Sequence, residues 1–231
     1  MFRTIRSAAA AAFMLVLFVA GVAAQSTTGT VNLSGTVSKF VEINSGGAVT
    51  LTGNSGGGVT ADGTANSPLA VVVDLGELGP SNTSSFVTAQ VPLKLRSNAA
   101  YVLSVQASVA ATGSTVEKFS ADDVGFGLGS VTRTGLGVAT GTDTPGTSGD
   151  PTLPANGGIN GTSGRFEFTT SNSNLGAFSA AGTVLSGPYI MRAVPRSNVN
   201  GLTVPAIFAV KPQFYEVGTM TATATFTVTA P

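Results

Sequence analysis

Asp122 and Asp123 form the one adjacent acidic pair in the sequence, with Glu117 and Lys118 close by. Two carboxylates held together can take a calcium ion or divide acid and base roles between them. Their place between Ser120 and the start of a strand pattern also suits a turn or cap, and that is the reading adopted. Asp74 and Glu77 flank a turn without the ligand spacing of a calcium loop. Asp143 and Asp150 fall in a long polar segment, where solvation accounts for them. The 231 residues include no histidine and no cysteine. That removes Ser-His-Asp and Cys-His pairs, His-rich zinc sites and thiolate clusters. An enzyme here would run on carboxylates, Lys, Tyr or Ser alone, so the chain reads as non-enzymatic, with no cofactor and no metal.

Three further patterns invite a functional reading. Val124, Phe126 and Leu128 share one face of a strand whose other face carries Gly125, Gly127 and Gly129. The GxGxG spacing resembles a phosphate loop, but no helix pattern follows it. The glycine face instead leaves room for something to lie across the strand. Tyr101, Tyr189 and Tyr215 are candidates for a sugar platform, yet with no tryptophan core or half-buried strand positions suit them better. Asn32, Asn82 and Asn160 each open an Asn-x-Ser/Thr triplet, a match that a Ser/Thr-rich chain produces by chance.

The elements that must position these residues are strands. From Thr219 to Thr229 every odd residue is threonine, while Met220, Ala222, Ala224, Phe226, Val228 and Ala230 are apolar. Period two sends the two sets to opposite faces of a strand. Val31, Leu33, Gly35, Val37, Lys39, Val41 and Ile43 share one parity near the other end. This stretch reads either as an ordinary first strand or as a donor strand that completes a neighbouring subunit, Gly35 letting two backbones approach. Val91, Leu93 and Leu95, a turn over residues 97–100, and Tyr101, Leu103, Val105, Ala107 and Val109 predict a hairpin with Lys94 and Arg96 facing solvent. Residues 205–212, bracketed by Pro205 and Pro212, predict an edge strand. Residues 133–164 exceed ordinary loop length. They form either a mobile surface loop, which their composition favours, or an inserted recognition loop, with Leu153 and Ile159 as the main anchors.

Residues 1–24 read as a secretory signal: Arg3 and Arg6, an apolar run, and Val22 and Ala24 before a cleavage point at Gln25. The remaining 25–231 read as one exported domain with no integral membrane span. Without the leader the chain has two fewer basic residues than its 11 acidic ones. A weak acidic balance without basic clusters argues against nucleic acid. The expected fold is an all-β antiparallel sandwich, Ig-like or jelly-roll-like, of ten to twelve strands with long Gly/Thr-rich loops.

Two stretches carry a resemblance. Leu93-Lys-Leu-Arg-Ser-Asn-Ala-Ala-Tyr-Val-Leu-Ser-Val105 resembles the central hairpin of exported fimbrial and cell-wall-associated β domains. Val217-Gly-Thr-Met-Thr-Ala-Thr-Ala-Thr-Phe-Thr-Val-Thr229 resembles the closing strand of spore-coat-U-type pilins and of WxL-type surface domains. The likeness covers about 30 residues of strand alternation; this chain has neither the disulfide of many pilins nor the tryptophan of WxL domains. It implies surface assembly, with no catalytic residues to carry over. The expected function is therefore a secreted or cell-surface structural or adhesive subunit, pilin-like or matrix-forming. Its partners would be itself or related subunits, joined through strand edges at Val31, Leu33, Gly35 and Val37 and at Met220, Ala222, Ala224, Phe226 and Val228. The alternative is a module that binds carbohydrate or cell wall, such as a surface polysaccharide, through the long loop and the glycine face.

Overall fold

Alternation in the sequence becomes alternation of burial in strands β5 (Val87–Ser97) and β6 (Tyr101–Ala111). Val87, Ala89, Val91, Leu93 and Leu95 are buried from the first, and Tyr101, Leu103, Val105 and Ala107 from the second. The two strands do not pair as a hairpin. Instead β5 pairs with β13 (Gly201–Val210), while β6 pairs with β14 (Met220–Thr229) and β12 (Gly182–Gly187). The buried rows of β5 and β6 contribute to one shared core cluster. A corner at Ser97 makes this possible: its carbonyl accepts from the amides of Ile190 and Met191, and its hydroxyl bonds Ala99 O at 2.6 Å.

The computed structural model describes residues 33–231 except 116, 136–138, 140, 147–152, 169–173 and 192–200. Within these the fold is all-β, built of antiparallel sheets. In one sheet β5 and β13 are central. Strands β1 (Val41–Ser45) and β2 (Thr50–Thr52) flank β5, and β7 (Val124–Leu128) and β8 (Thr132–Thr134) flank β13. A second sheet runs β14, β6, β12 and β9 (Thr144–Pro145). Two ribbons complete it: β3 (Gly58–Ala61) with β4 (Val72–Asp74), and β10 (Gly157–Ile159) with β11 (Phe166–Phe168). Fourteen strands are thus described, more than expected, because several are only two to four residues long. Residues Ser38–Pro231 make one compact unit, distinct from Met1–Val37.

Three expectations are overturned. Strand β13 lies in the middle of its sheet despite Pro205. The reason is register: Pro205 stands opposite Pro92 of β5, and in an antiparallel ladder a residue's N–H and C=O leave the same side. Both prolines face away from each other, into breaks in the flanking strands. The Gly129 amide, in the break between β7 and β8, donates to Pro205 O at 2.8 Å; the Gly46 amide, between β1 and β2, donates to Pro92 O at 2.7 Å. No ladder donor is lost where none is required. Lys94 and Arg96 are buried rather than solvated, at 6% and 4% exposure. The segment around Ser67 covers this face of β5: Asn66 accepts from Arg96, and Ser67 O accepts from Ser45 N. Glu42 lies 3.6 Å from the Arg96 guanidinium. Burial and then the charge of Arg96 hold the Lys94 ammonium below its ordinary value. The third is the hairpin described above.

Two aromatic groups fasten the layers. Phe126 contacts Phe208 of its own sheet, Phe226 of the other sheet and Phe178, with centroids 5.3 to 6.1 Å apart. Such pairs contribute roughly 0.5–1.5 kcal/mol each beyond the area they bury. On the opposite face of β7 the glycine row does receive a neighbour. A Cβ on Gly125 would stand 2.6 Å from the ring of Phe168, itself fully buried, tilted against Phe86 and edge-on to Phe166. That glycine face is occupied by the protein's own side chain.

The Gly125→Ala variant is accordingly expected to lose about 1–3 kcal/mol of stability, the cost of overpacking a dense core. Urea unfolding should show a lower midpoint at unchanged slope, and pairing the variant with Phe168→Leu should return part of the loss.

Candidate functional site

The acidic pair sits in a short 3-10 turn, Ala121–Asp123, just before β7. The two carboxylates part company there. Asp122 stays at the surface, while Asp123 is 1% exposed. Asp123 Oδ2 accepts from the Ser120 amide at 2.7 Å and the Ser120 hydroxyl at 2.9 Å, closing a capping box. Arg165 Nη2 approaches the same oxygen at 3.6 Å and Glu167 Oε1 at 3.9 Å. A carboxyl with no surface cannot meet a substrate, so the pair does not form an acid–base cleft. Among the described residues no group of three or more His, Cys, Asp or Glu could hold a metal ion.

What the turn does is anchor Arg165. Its Nη1 donates to Glu117 O at 2.7 Å, its Nη2 to Lys118 O at 3.1 Å, and its guanidinium lies 5.1 Å over the ring of Tyr215. Burial drives the Asp123 pKa up, against the opposing pull of the Ser120 amide and Arg165. Burial, then the charge of Asp123, drives the Tyr215 phenol up as well. Burial and Glu167 raise Asp122. Asp123 Oδ1 and Arg165 Nε are buried without hydrogen-bond partners, so the cluster is satisfied only in part.

Beside this cluster opens a cavity of about 490 Å³. One wall is the segment after β6, with Thr115, Lys118 and Phe119; the other is the β10–β11 turn, with Asn160, Thr162 and Ser163. Asn160 shapes that turn: its Oδ1 accepts from the amides of Thr162 at 2.8 Å and Ser163 at 3.1 Å, and its Nδ2 donates to Glu167 at 2.6 Å. The sequence singled out Asn160 only as a triplet match. Nothing in the linear spacing brings Thr115 and Lys118 to Asn160; the pairing of β10 with β11 and the reach of Arg165 do.

The other sequence candidates take structural roles. Asp74 and Glu77 accept from the amides of Gly76 and Gly79 and shape turns. Asp143 is not solvated. Arg133 clamps it with two bonds of 2.8 and 2.5 Å, and the Tyr101 hydroxyl donates to it at 2.7 Å. This buried knot, with Leu153 in the core, ties the long 133–164 segment down; Ile159 is exposed and anchors nothing. Asn82 is buried and donates to Gly53 O and Glu77 O. Asn32 and Asp150 lie outside the described residues. Tyr101 is buried and Tyr189 and Tyr215 half-buried, so none forms an open platform.

The terminal residues named for strand pairing fall into two groups. Met220, Ala222, Ala224, Phe226 and Val228 lie on β14, opposite Ala111, Val109, Ala107, Val105 and Leu103 of β6. The five threonines of β14 are exposed, as the alternation required, but so is Ala222, which breaks the alternation of burial at that position. Leu33, Gly35 and Val37 lie in no strand, and regular pairing starts only at Val41. Leu33 and Val37 are 93% and 89% exposed; Val31 lies outside the described residues. Comparisons of the chain with protein-family models, with curated proteins and with solved structures return no match.

Two outcomes test the buried cluster. Arg165→Ala leaves Asp123 and Glu167 without their cation and should cost about 3–5 kcal/mol in urea unfolding. The pH dependence has a definite sign. A folded-state pKa raised above the unfolded value gives stability that is full below the unfolded value of 3.8 and is lost as pH rises through the folded-state pKa. Wild type should therefore lose stability relative to Asp123→Asn over that rise, measured as the difference in urea midpoint from pH 3 upward. A difference of opposite slope would overturn the assignment.

Proposed function

We propose that this protein is an exported structural or adhesive subunit of a cell surface, non-enzymatic, that assembles through β-strand edges in the manner of pilins. In this reading residues 1–24 direct export, and the two main sheets make a β-sandwich in the mature chain. The observation that carries the reading is the state of β14. Among the described residues it is the terminal strand of its sheet, paired on one side with β6 alone. It runs ten residues without a charge or a proline. Monomeric proteins blunt such edges with lysine, proline or bulges, because an unpaired row of N–H and C=O groups templates further pairing. Its inward residues Ala224, Phe226 and Val228 pack on the core yet remain only half-buried.

The complementary feature is at the other end of the chain. Residues 33–37 alternate apolar Leu33 and Val37 with polar neighbours and leave both exposed. A segment of that pattern supplies backbone groups for an open edge and apolar side chains for its core face, the chemistry of strand addition. Weighing against enzymatic chemistry, Asp123 is committed to capping and to Arg165, which leaves Asp122 without an acidic partner in the pair.

The deciding measurement is light scattering after size exclusion on three proteins: the full mature chain from Gln25, the chain from Ser38, and the Leu33→Asp/Val37→Asp double variant. The expected result is oligomers from the first and folded monomers from the other two, at unchanged urea midpoints, since both substituted side chains are exposed. A mature chain that stays monomeric at high concentration sinks the proposal.

A further inference from the structure

The cavity beside Arg165 shares Val109 with the pairing partner of β14 but includes none of the residues named for assembly, and the chemistry of its walls is specific. Its framework is fixed before any ligand arrives. Glu167 accepts from Asn160 at 2.6 Å and from Ser163 at 3.0 Å, and Arg165 is held by the carbonyls of Glu117 and Lys118. Glu216 accepts from the amides of Ser114 and Thr115 and from the Thr115 hydroxyl at 2.7 Å, fixing the far rim. Against this framework, the Lys118 ammonium and the Thr162 hydroxyl make no hydrogen bond among the described residues. Donor and acceptor capacity is thus left over on both walls.

Charge narrows the class of ligand. Lys118 and Arg165 are offset by Glu167 on the wall, by Asp123 behind Arg165 and by Glu216, which Lys118 attracts. With two cations among three carboxylates, the site has no positive field to draw in a phosphate or a polyanion. Hydroxyl groups fit instead, because each both donates and accepts. Val109 and Phe119 add an apolar patch to the same lining, with Phe119 backed by Tyr215 at 4.9 Å; the C–H face of a sugar ring meets such a surface favourably. The cavity is shallow and open to solvent, so a ligand there rests on the surface with one side in water. Exposed apolar residues also gather near this rim along the chain: Ile159 precedes Asn160, and Val217 follows Glu216.

We propose that this cavity binds a neutral saccharide, held by Lys118, Thr162 and the Asn160–Glu167 framework between the β6 exit and the β10–β11 turn. The turn at the end of the long 133–164 segment is then its recognition element, and the glycine face of β7, filled by Phe168, takes no part.

The test is NMR titration of the mature chain with cellohexaose, maltohexaose and mannohexaose, and with hexagalacturonate as the acidic comparator. The expected result is saturable binding of at least one neutral hexasaccharide, with amide shifts concentrated at Thr115, Thr162 and Ser163. Lys118→Ala should weaken it about tenfold, the scale of a hydrogen bond from a charged group, and Thr162→Val about threefold to tenfold, with urea midpoints unchanged. No saturable neutral ligand, preference for the uronate, or affinity indifferent to both substitutions overturns the proposal. The same titration on Leu33→Asp/Val37→Asp separates it from assembly, since that variant retains every residue of the cavity.

Discussion

The fold depends on one constraint: β5 and β6, consecutive in the chain, enter different sheets and share one apolar core instead of pairing side by side. Each is eleven residues long, and each buries a continuous apolar row. A hairpin would have put both rows into one sheet and left that sheet to find another partner. The corner at Ser97 sends the chain from one sheet to the other, and two sets of contacts secure it. The Asn98 side chain accepts from Phe40 N and donates to Ser38 O, tying the approach to β1 to the corner. Ile190 and Met191 donate to Ser97 O, tying in the exit from β12. With β5 and β6 in separate sheets, β13 and β14 each need only add alongside, and both do so over nine or ten residues in unbroken register.

Interruption rather than continuity organises the rest of the β5 sheet. Pro92 and Pro205 would each remove a ladder bond in a continuous sheet. Placed opposite one another, they divide the flanking positions into β1 and β2 on one side and β7 and β8 on the other. The chain that leaves each break is thereby free to fold outward. From the β1–β2 side comes the segment that buries Lys94 and Arg96. Beyond β8 comes the long segment whose Asp143 is clamped by Arg133 of β8 and by Tyr101 of β6. Paired polar clusters thus fasten excursions that the apolar core does not reach. The Arg165 cluster repeats the device for the turn before β7. Each retains charge at a desolvation cost, which is offset only where hydrogen bonds are nearly complete.

How much of this the sequence made legible follows from the range of the forces involved. Period-two alternation is local, so the strand character of residues 219–229 and of both long strands was readable directly, as was the all-β class. The glycine row at 125, 127 and 129 announced a close approach, though not that Phe168 makes it. Pairing partners are non-local. Lys94 and Arg96 alternate like solvent-facing residues, and only the segment around Ser67, nearly 30 positions away, makes them buried. Pro205 carries the local mark of an edge and loses it because Pro92, more than 100 residues distant, stands in register. The cavity was invisible for the same reason: its walls come from two segments about 40 residues apart, joined by Arg165 reaching carbonyls at 117 and 118.

The two ends of the chain pose the converse problem, local pattern without a local use. Residues 33–37 alternate as well as many strands in the core, yet pairing begins only at Val41. Composition does not separate the two stretches. What differs is the company each finds: Val41–Ser45 meets the outer edge of β5, with Phe40 and Asn98 to fix its register. A strand-competent segment left exposed carries a cost, because apolar side chains such as Leu33 and Val37 gain nothing in water and invite nonspecific contact. An uncharged ten-residue edge at β14 carries the same cost. Either feature alone would be an ordinary liability. In the proposed assembly the two features are complementary, and mutual pairing is the arrangement in which both costs disappear at once.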